Sequence, residues 1–145
     1  MSAREDILKR VEQVLKNMTN PGPGLVSRDF FDFEKLAITQ FPAILVVPLN
    51  ETREDISLSE RQGTMEVSMR CFVRGNQIDT LRNDIIRNIE ESLETERALN
   101  NTADADATHV VRCRIDNVQV IERQPPIGEV TVVAEIIYIY KKGNA

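Results

Sequence analysis

The sequence is poor in the residues that carry most protein chemistry. It has a single histidine, His109, with no neighbouring set of Cys or Asp spaced as ligands. A zinc centre or a Ser/His/Asp triad needs several such groups in fixed relation, so His109 reads as a structural or surface residue. There are two cysteines, Cys71 and Cys113, both inside strand-like patterns. A disulfide is one alternative; two small buried hydrophobes is the reading favoured in a chain without an export signal. The glycines, at 22, 24, 63, 75, 128 and 143, form no phosphate-cradling loop after a strand. No apolar run reaches the roughly 20 residues of a membrane-crossing helix. The start, Met-Ser-Ala-Arg-Glu-Asp, is not a signal peptide, which predicts a protein that stays in the cytoplasm or wherever it assembles.

Clustered positive charge is missing too. Lys and Arg number 18 against 23 Asp and Glu, a formal charge of -5, and the basic residues are scattered among acids. A groove that tracks a phosphate backbone draws its affinity from clustered cations, so no specific nucleic-acid partner is expected. Acids are abundant, yet nothing in their spacing selects a pair for acid/base work. Asp104-Ala105-Asp106 lacks the further carboxylates and the Gly of a calcium loop and reads as a plain loop. No catalytic residue, cofactor or metal is expected, and the protein is not read as an enzyme.

What is present is an ordinary folding composition: 145 residues, 41% hydrophobic and 28% charged. Such a chain fits a single domain over residues 1–145 and should bury roughly two-thirds of its unfolded surface. The most informative stretch is Glu129 to Lys142, dense in β-branched and aromatic residues and free of Gly and Pro. It predicts a long strand. Val130, Val132, Ala134, Ile136, Tyr138 and Tyr140 share one face, and Val133, Ile137 and Ile139 make much of the other apolar. That pattern calls for helices on one face and something else, such as a partner subunit, on the other.

Two helices are predicted. Ser2 and Glu5 have capping-box spacing, and Ile7, Leu8, Val11, Val14, Leu15 and Met18 recur at helical intervals, giving a helix over Ala3 to Met18. Pro21-Gly22-Pro23-Gly24 turns the chain. With Asn76 as N-cap, Ile78, Leu81, Ile85, Ile86, Ile89 and Leu93 predict a second helix over Gln77 to Leu99. Strands are predicted at Leu25–Ser27, at Phe41–Pro48 between two prolines, and at Thr64–Arg74, where Met65, Val67, Met69, Cys71 and Val73 alternate with polar residues. His109 to Glu122 is a further strand whose alternation slips midway, a sign of a bulge, and Gln124 to Gly128 turns it into the final strand. The fold class is therefore α+β, a mixed or antiparallel sheet with a long C-terminal hairpin, packed by two main helices.

Two stretches are less regular. Phe30, Phe31 and Phe33 alternate with Asp29, Asp32 and Lys35 and predict a loop pinned to the core by its rings; a ligand-pocket wall is the alternative. Leu49 to Gly63 is polar, with only Ile56 and Leu58 as apolar punctuation, and predicts a short strand inside a long exposed loop. Asp29, Asp32, Lys35, Glu51, Arg53, Glu54, Asp55 and Arg61 are the candidate partner-binding residues on these two loops.

The order of segments resembles a known family. The N-terminal helix, the Pro/Gly turn, Phe41-Pro42-Ala43-Ile44-Leu45-Val46-Val47, the polar loop, the strand Met65 to Gly75, the helix containing Asp79 to Glu90, and the ending Ile136-Ile137-Tyr138-Ile139-Tyr140 are similar to the tail terminator, or tail completion, proteins of tailed bacteriophages. The resemblance implies a compact subunit of a homohexameric ring on the end of the tail tube, in the tail and neck region of the virion, assembled in the host cytoplasm. It implies as partners other copies of the chain, the tail tube protein, the neck or head connector protein, and a sheath protein if the tail is contractile. Another neck or head–tail joining ring protein, and a small ligand-binding domain or enzyme, stand as the alternatives.

Overall fold

The computed structural model describes residues 2–95, 99 and 108–143. Five strands form one sheet in the order β1-β2-β3-β5-β4. These are β1 (Leu25–Ser27), β2 (Ala43–Asp55), β3 (Glu60–Arg74), β4 (Thr108–Ile121) and β5 (Ile127–Lys141), with helices α1 (Ala3–Lys16) and α2 (Ile78–Glu94). β1 runs parallel to β2, and every other pair is antiparallel. The α+β class and the C-terminal β4–β5 hairpin are as the sequence pattern predicts.

Both helices lie on one face of the sheet. Ile7, Leu8, Val11 and Leu15 of α1 and Ile85, Ile89 and Leu93 of α2 join a single core with Ile44 and Val46 of β2, Met65, Val67, Met69, Cys71 and Val73 of β3, and the even-numbered face of β5 from Val130 to Tyr140. α1 begins as predicted, with Ser2 Oγ accepting from Glu5 N at 3.1 Å. The second half of the capping box is replaced: the Glu5 carboxylate takes a two-pronged pair from Arg28, at 2.7 and 3.0 Å, tying the helix start to the segment after β1. That guanidinium holds the Glu5 carboxyl below the usual carboxylate range. α2 is capped at Gln77 rather than Asn76, without a side-chain hydrogen bond. It ends at Glu94, with Thr95 already extended, short of the predicted Leu99; residues 96–98 and the loop with Asp104 and Asp106 lie outside the described residues.

Two expectations need correction. The polar stretch from Leu49 to Gly63 is not a loop but the distal half of a β2–β3 hairpin, turning at Ile56–Ser59. Its backbone is held by the neighbouring ladder, because β3 stays paired with β5 from Glu60 opposite Lys141 to Arg74 opposite Ile127 without a shift. Tertiary pairing overrides the weak intrinsic strand preference of Asn, Glu and Asp. In β4 there are two bulges rather than one slip, at Val110/Arg112 and Ile115/Asn117. Each reverses the alternation, so Val110, Cys113, Ile115, Val118 and Val120 stand opposite the core-facing residues of β5.

The opposite sheet face carries no α-helix among the described residues, only the single 3-10 turn Phe33–Lys35. At one end Phe31 and Phe33 cover it, meeting Phe72 edge-on at 5.7 Å and stacked at 4.6 Å. Phe30 departs from the expected core role and is 80% exposed. Elsewhere on this face Val133, Ile137 and Ile139 of β5 are only half-buried.

The two cysteines are free, and neither thiol is primed to react. Burial raises the Cys71 thiol far above its ordinary value, and burial together with the nearby Glu94 carboxylate pushes Cys113 up to about 12. Native protein at pH 8 should therefore label with a thiol reagent much more slowly than unfolded protein; equal rates would place a cysteine in solvent. Ile136 is fully buried, so Ile136→Ala should lower unfolding free energy by about 2–5 kcal/mol in denaturant titration, and no change would contradict this packing.

Candidate functional site

The candidate partner-binding residues separate into two groups at opposite ends of the sheet. Asp29, Asp32 and Lys35 lie at the end where Phe72 pairs with Ala43 and Glu129, whereas Glu51, Arg53, Glu54, Asp55 and Arg61 lie on the distal hairpin. Position 61 is about 35 Å from position 72 at the ordinary rise along a strand. They do not form one site.

At the distal end the charged side chains brace the hairpin. Glu51, whose side chain is 9% exposed, is the hub. One carboxylate oxygen accepts from the Tyr138 hydroxyl; the other accepts from Arg53 Nε and Nη2, at 3.0 and 2.8 Å. Arg4 of α1 stands 3.7 Å from the same carboxylate, so helix, hairpin and C-terminal strand meet there. Tyr138 fits because Gly63 lies opposite: a Cβ there would fall 2.6–2.8 Å from the tyrosine ring and hydroxyl. Arg53 also spans the face of Tyr140, 5.8 Å from its centroid.

Nearer the turn, Arg61 Nε donates to Asp55 Oδ1 at 2.8 Å, and Lys142 Nζ lies 3.3 Å from Asp55 Oδ2. These two cations hold the Asp55 carboxyl below its usual range, with the Arg61 hydrogen bond the larger cause. Asp55 and Arg61 are solvent-screened, so the pair fixes the hairpin's geometry more than its stability. Beyond it the tip presents Ile56, 51% exposed, and Leu58, 99% exposed. Glu54 is exposed on the helix-free side, in register with Gln62.

The proximal group is mainly architectural. Asp29 N donates to Ser27 Oγ at 3.0 Å, Asp32 Oδ1 caps a short turn by accepting from Glu34 N at 3.1 Å, and Lys35 is 4.0 Å from Asp32. Beside them is a residue the sequence pattern did not single out. Glu129 is fully buried, accepting from Arg70 Nε at 3.1 Å and Arg123 Nε at 2.8 Å, and those guanidiniums cover the rings of Phe72 and Phe33. Phe31 and Phe33 thus pack, half-buried, into an ionic and aromatic stack over Glu129, and the outer side of Phe33 also lines an open cavity of about 330 Å³ with Glu34, Glu122, Arg123, Gln124 and Ile127. The missed signal was an acid near the start of a largely apolar strand, which needs cationic partners once buried.

His109 is exposed on β4, and no described group of three His, Cys, Asp or Glu residues is placed to hold a metal. The geometry is suited to docking: a braced hairpin with an apolar tip and a sheet face without an α-helix among the described residues.

A family profile described as Bacteriophage Tail Tube Terminator Protein matches residues 1–128. No curated protein matches the chain. The Tyr138–Glu51 contact can be tested directly. Tyr138→Phe removes a donor from a nearly buried carboxylate and should lower unfolding free energy by about 1–3 kcal/mol; an unchanged value would show that water serves Glu51 equally well.

Proposed function

The chain belongs to the bacteriophage tail tube terminator protein family, and on that premise we propose that it closes the end of the growing tail tube as a ring of identical subunits. Its role is structural and it is a virion component. In the proposed reading the ring, hexameric as the resemblance implies, stops addition of tube protein and offers its far side to the neck or head connector. A sheath protein would join the contacts if the tail is contractile. No step of this role requires bond chemistry in the chain itself, so it is read as a non-enzyme.

The family match over residues 1–128 carries the proposal, and the chemistry of the two strand ends supports it. All the long strands run between the same two ends, so a ring axis roughly along them places the hairpin tip on one ring side and the Phe33–Arg123–Glu129 stack on the other. Different chemistry at the two ends is what a subunit between two partners requires, because electrostatic and apolar complementarity selects which surface docks where. The tip is the better match for the tube. Leu58 is held outside the core on a braced turn, and burying such a side chain against a partner recovers roughly 1.5–3 kcal/mol per subunit. Around a ring that gain repeats, which makes a modest single contact strong in sum.

Purified protein added to polymerising tail tubes should shorten the tube-length distribution. Leu58→Asp should unfold at the wild-type denaturant concentration yet lose that effect. Wild-type length control by Leu58→Asp would remove the tip from the contact, and failure of the wild-type protein to stop elongation would contradict the terminator reading.

A further inference from the structure

The sheet ends in two edges that are only partly covered by the described residues, and their chemistry fits one to the other. β4 is the last strand of the sheet, and from Arg112 to Ile121 no strand lies along its outer side among the described residues. At the opposite edge β1 covers only Ala43–Leu45 of β2, leaving the rest of that strand to Asp55 open. Open edges of this length are templates for another strand. We propose that the outer edge of β4 in one subunit pairs with the open distal edge of β2 in a second copy of this chain. The proposal rests on the ring reading and names the contact that closes the ring.

Strand polarity fits. β2, β3, β5 and β4 are successively antiparallel, so β2 and β4 run in opposite directions. Rotation about an axis roughly along the strands then sets β4 of one copy antiparallel to β2 of the next. Because two different edges meet, the contact is heterologous, the kind that repeats around a ring.

Charge selects β2 over a second β4. Arg112 and Arg114 stand exposed on the helix-free side of β4, opposite Ile137 and Glu135 of β5. Arg114 already donates to Asp116 Oδ1 at 3.1 Å and stands 3.9 Å from Glu135; pairing β4 with β4 about a two-fold axis near Cys113 crowds the arginines of two copies together, whereas pairing with β2 in the register below adds Glu54 on the corresponding side. Register agrees as well. Setting Glu54 opposite Arg114 carries Leu49, 44% exposed, alongside Val118 and Val120, 40% and 53% exposed. In that register β4 ends at Ile121 before reaching the part of β2 that β1 already covers. The ladder is interrupted twice: at the second bulge of β4, where Ile115 N already donates to Glu94 Oε1 at 2.9 Å, and at the irregularity of β2 between Pro48 and Glu51, where Pro48 has no N–H to give.

The test is a full-length variant carrying Glu54→Cys and Arg114→Cys, oxidised mildly, with tail tubes present if the wild-type chain assembles only on them. A ladder of disulfide-linked oligomers on non-reducing gels is expected, with monomer only from either single variant. In parallel, Glu54→Arg should weaken subunit association about tenfold, and adding Arg114→Glu should restore it. An oligomer of wild-type mass that gives no ladder and tolerates Glu54→Arg would overturn the edge pairing while leaving the ring standing. Dimers from Arg114→Cys alone would replace it with a β4–β4 contact. A wild-type chain that stays monomeric with and without tubes would overturn the ring reading, and this contact with it.

Discussion

The register between β3 and β5 is the constraint on which the rest of the structure depends. It runs without a bulge from Glu60 opposite Lys141 to Arg74 opposite Ile127. Side chains alternate with period two, so a slip of one residue would turn Tyr138, Tyr140 and Ile136 to the helix-free face and drive Glu135 and Thr131 under the helices. Gly63 supports the register locally, because a side chain opposite Tyr138 would collide with its ring. From this central pair the sheet grows outward: β2 on one side with its hairpin, β4 on the other with two bulges. The helices then cover one face only.

Both ends of the central pair are locked by charges that would be costly alone. At one end Glu129, fully buried, is neutralised by Arg70 and Arg123, themselves laid over Phe72 and Phe33. At the other, Glu51 gathers Tyr138, Arg53 and Arg4. A buried carboxylate stripped of one partner becomes an uncompensated charge, which is why such clusters specify one arrangement strongly even when their net contribution is small. The result is a rigid slab whose open parts are a sheet face, two edges and a hairpin tip. Those are the features an assembly subunit uses. A rigid slab also limits the ordering entropy lost on docking, so more of each contact's gain reaches the assembly.

The core was legible because its signal is periodic. The stripe from Ile7 to Leu15, the alternation from Met65 to Val73 and the even-numbered face of β5 each predict which residues are buried, and all of them are except Val14, which is half-buried at the edge of the core. The distal hairpin was not legible. Asn50 to Gly63 carries no apolar alternation, and its strand structure comes from pairing with residues some eighty positions later, such as Arg61 with Tyr140. The two bulges of β4 were half visible, since one slip shows in the sequence and the second restores the first. Of the candidate site residues, the sequence grouped Asp29 to Lys35 with Glu51 to Arg61 by polarity alone; the sheet separates them by its length. Glu129 and Tyr138 looked like ordinary strand residues, because a polar atom's partners are set by three-dimensional neighbours that spacing along the chain does not encode.

The central claim is that this family member acts as a closed ring of copies on the tail tube. The most direct measurement is the mass of the full-length protein by light scattering, alone and bound to tail tubes. The account predicts a single closed oligomer, of about six subunits given the symmetry usual for such assemblies, either free or on the tube end. A chain that remains monomeric in both settings would contradict it.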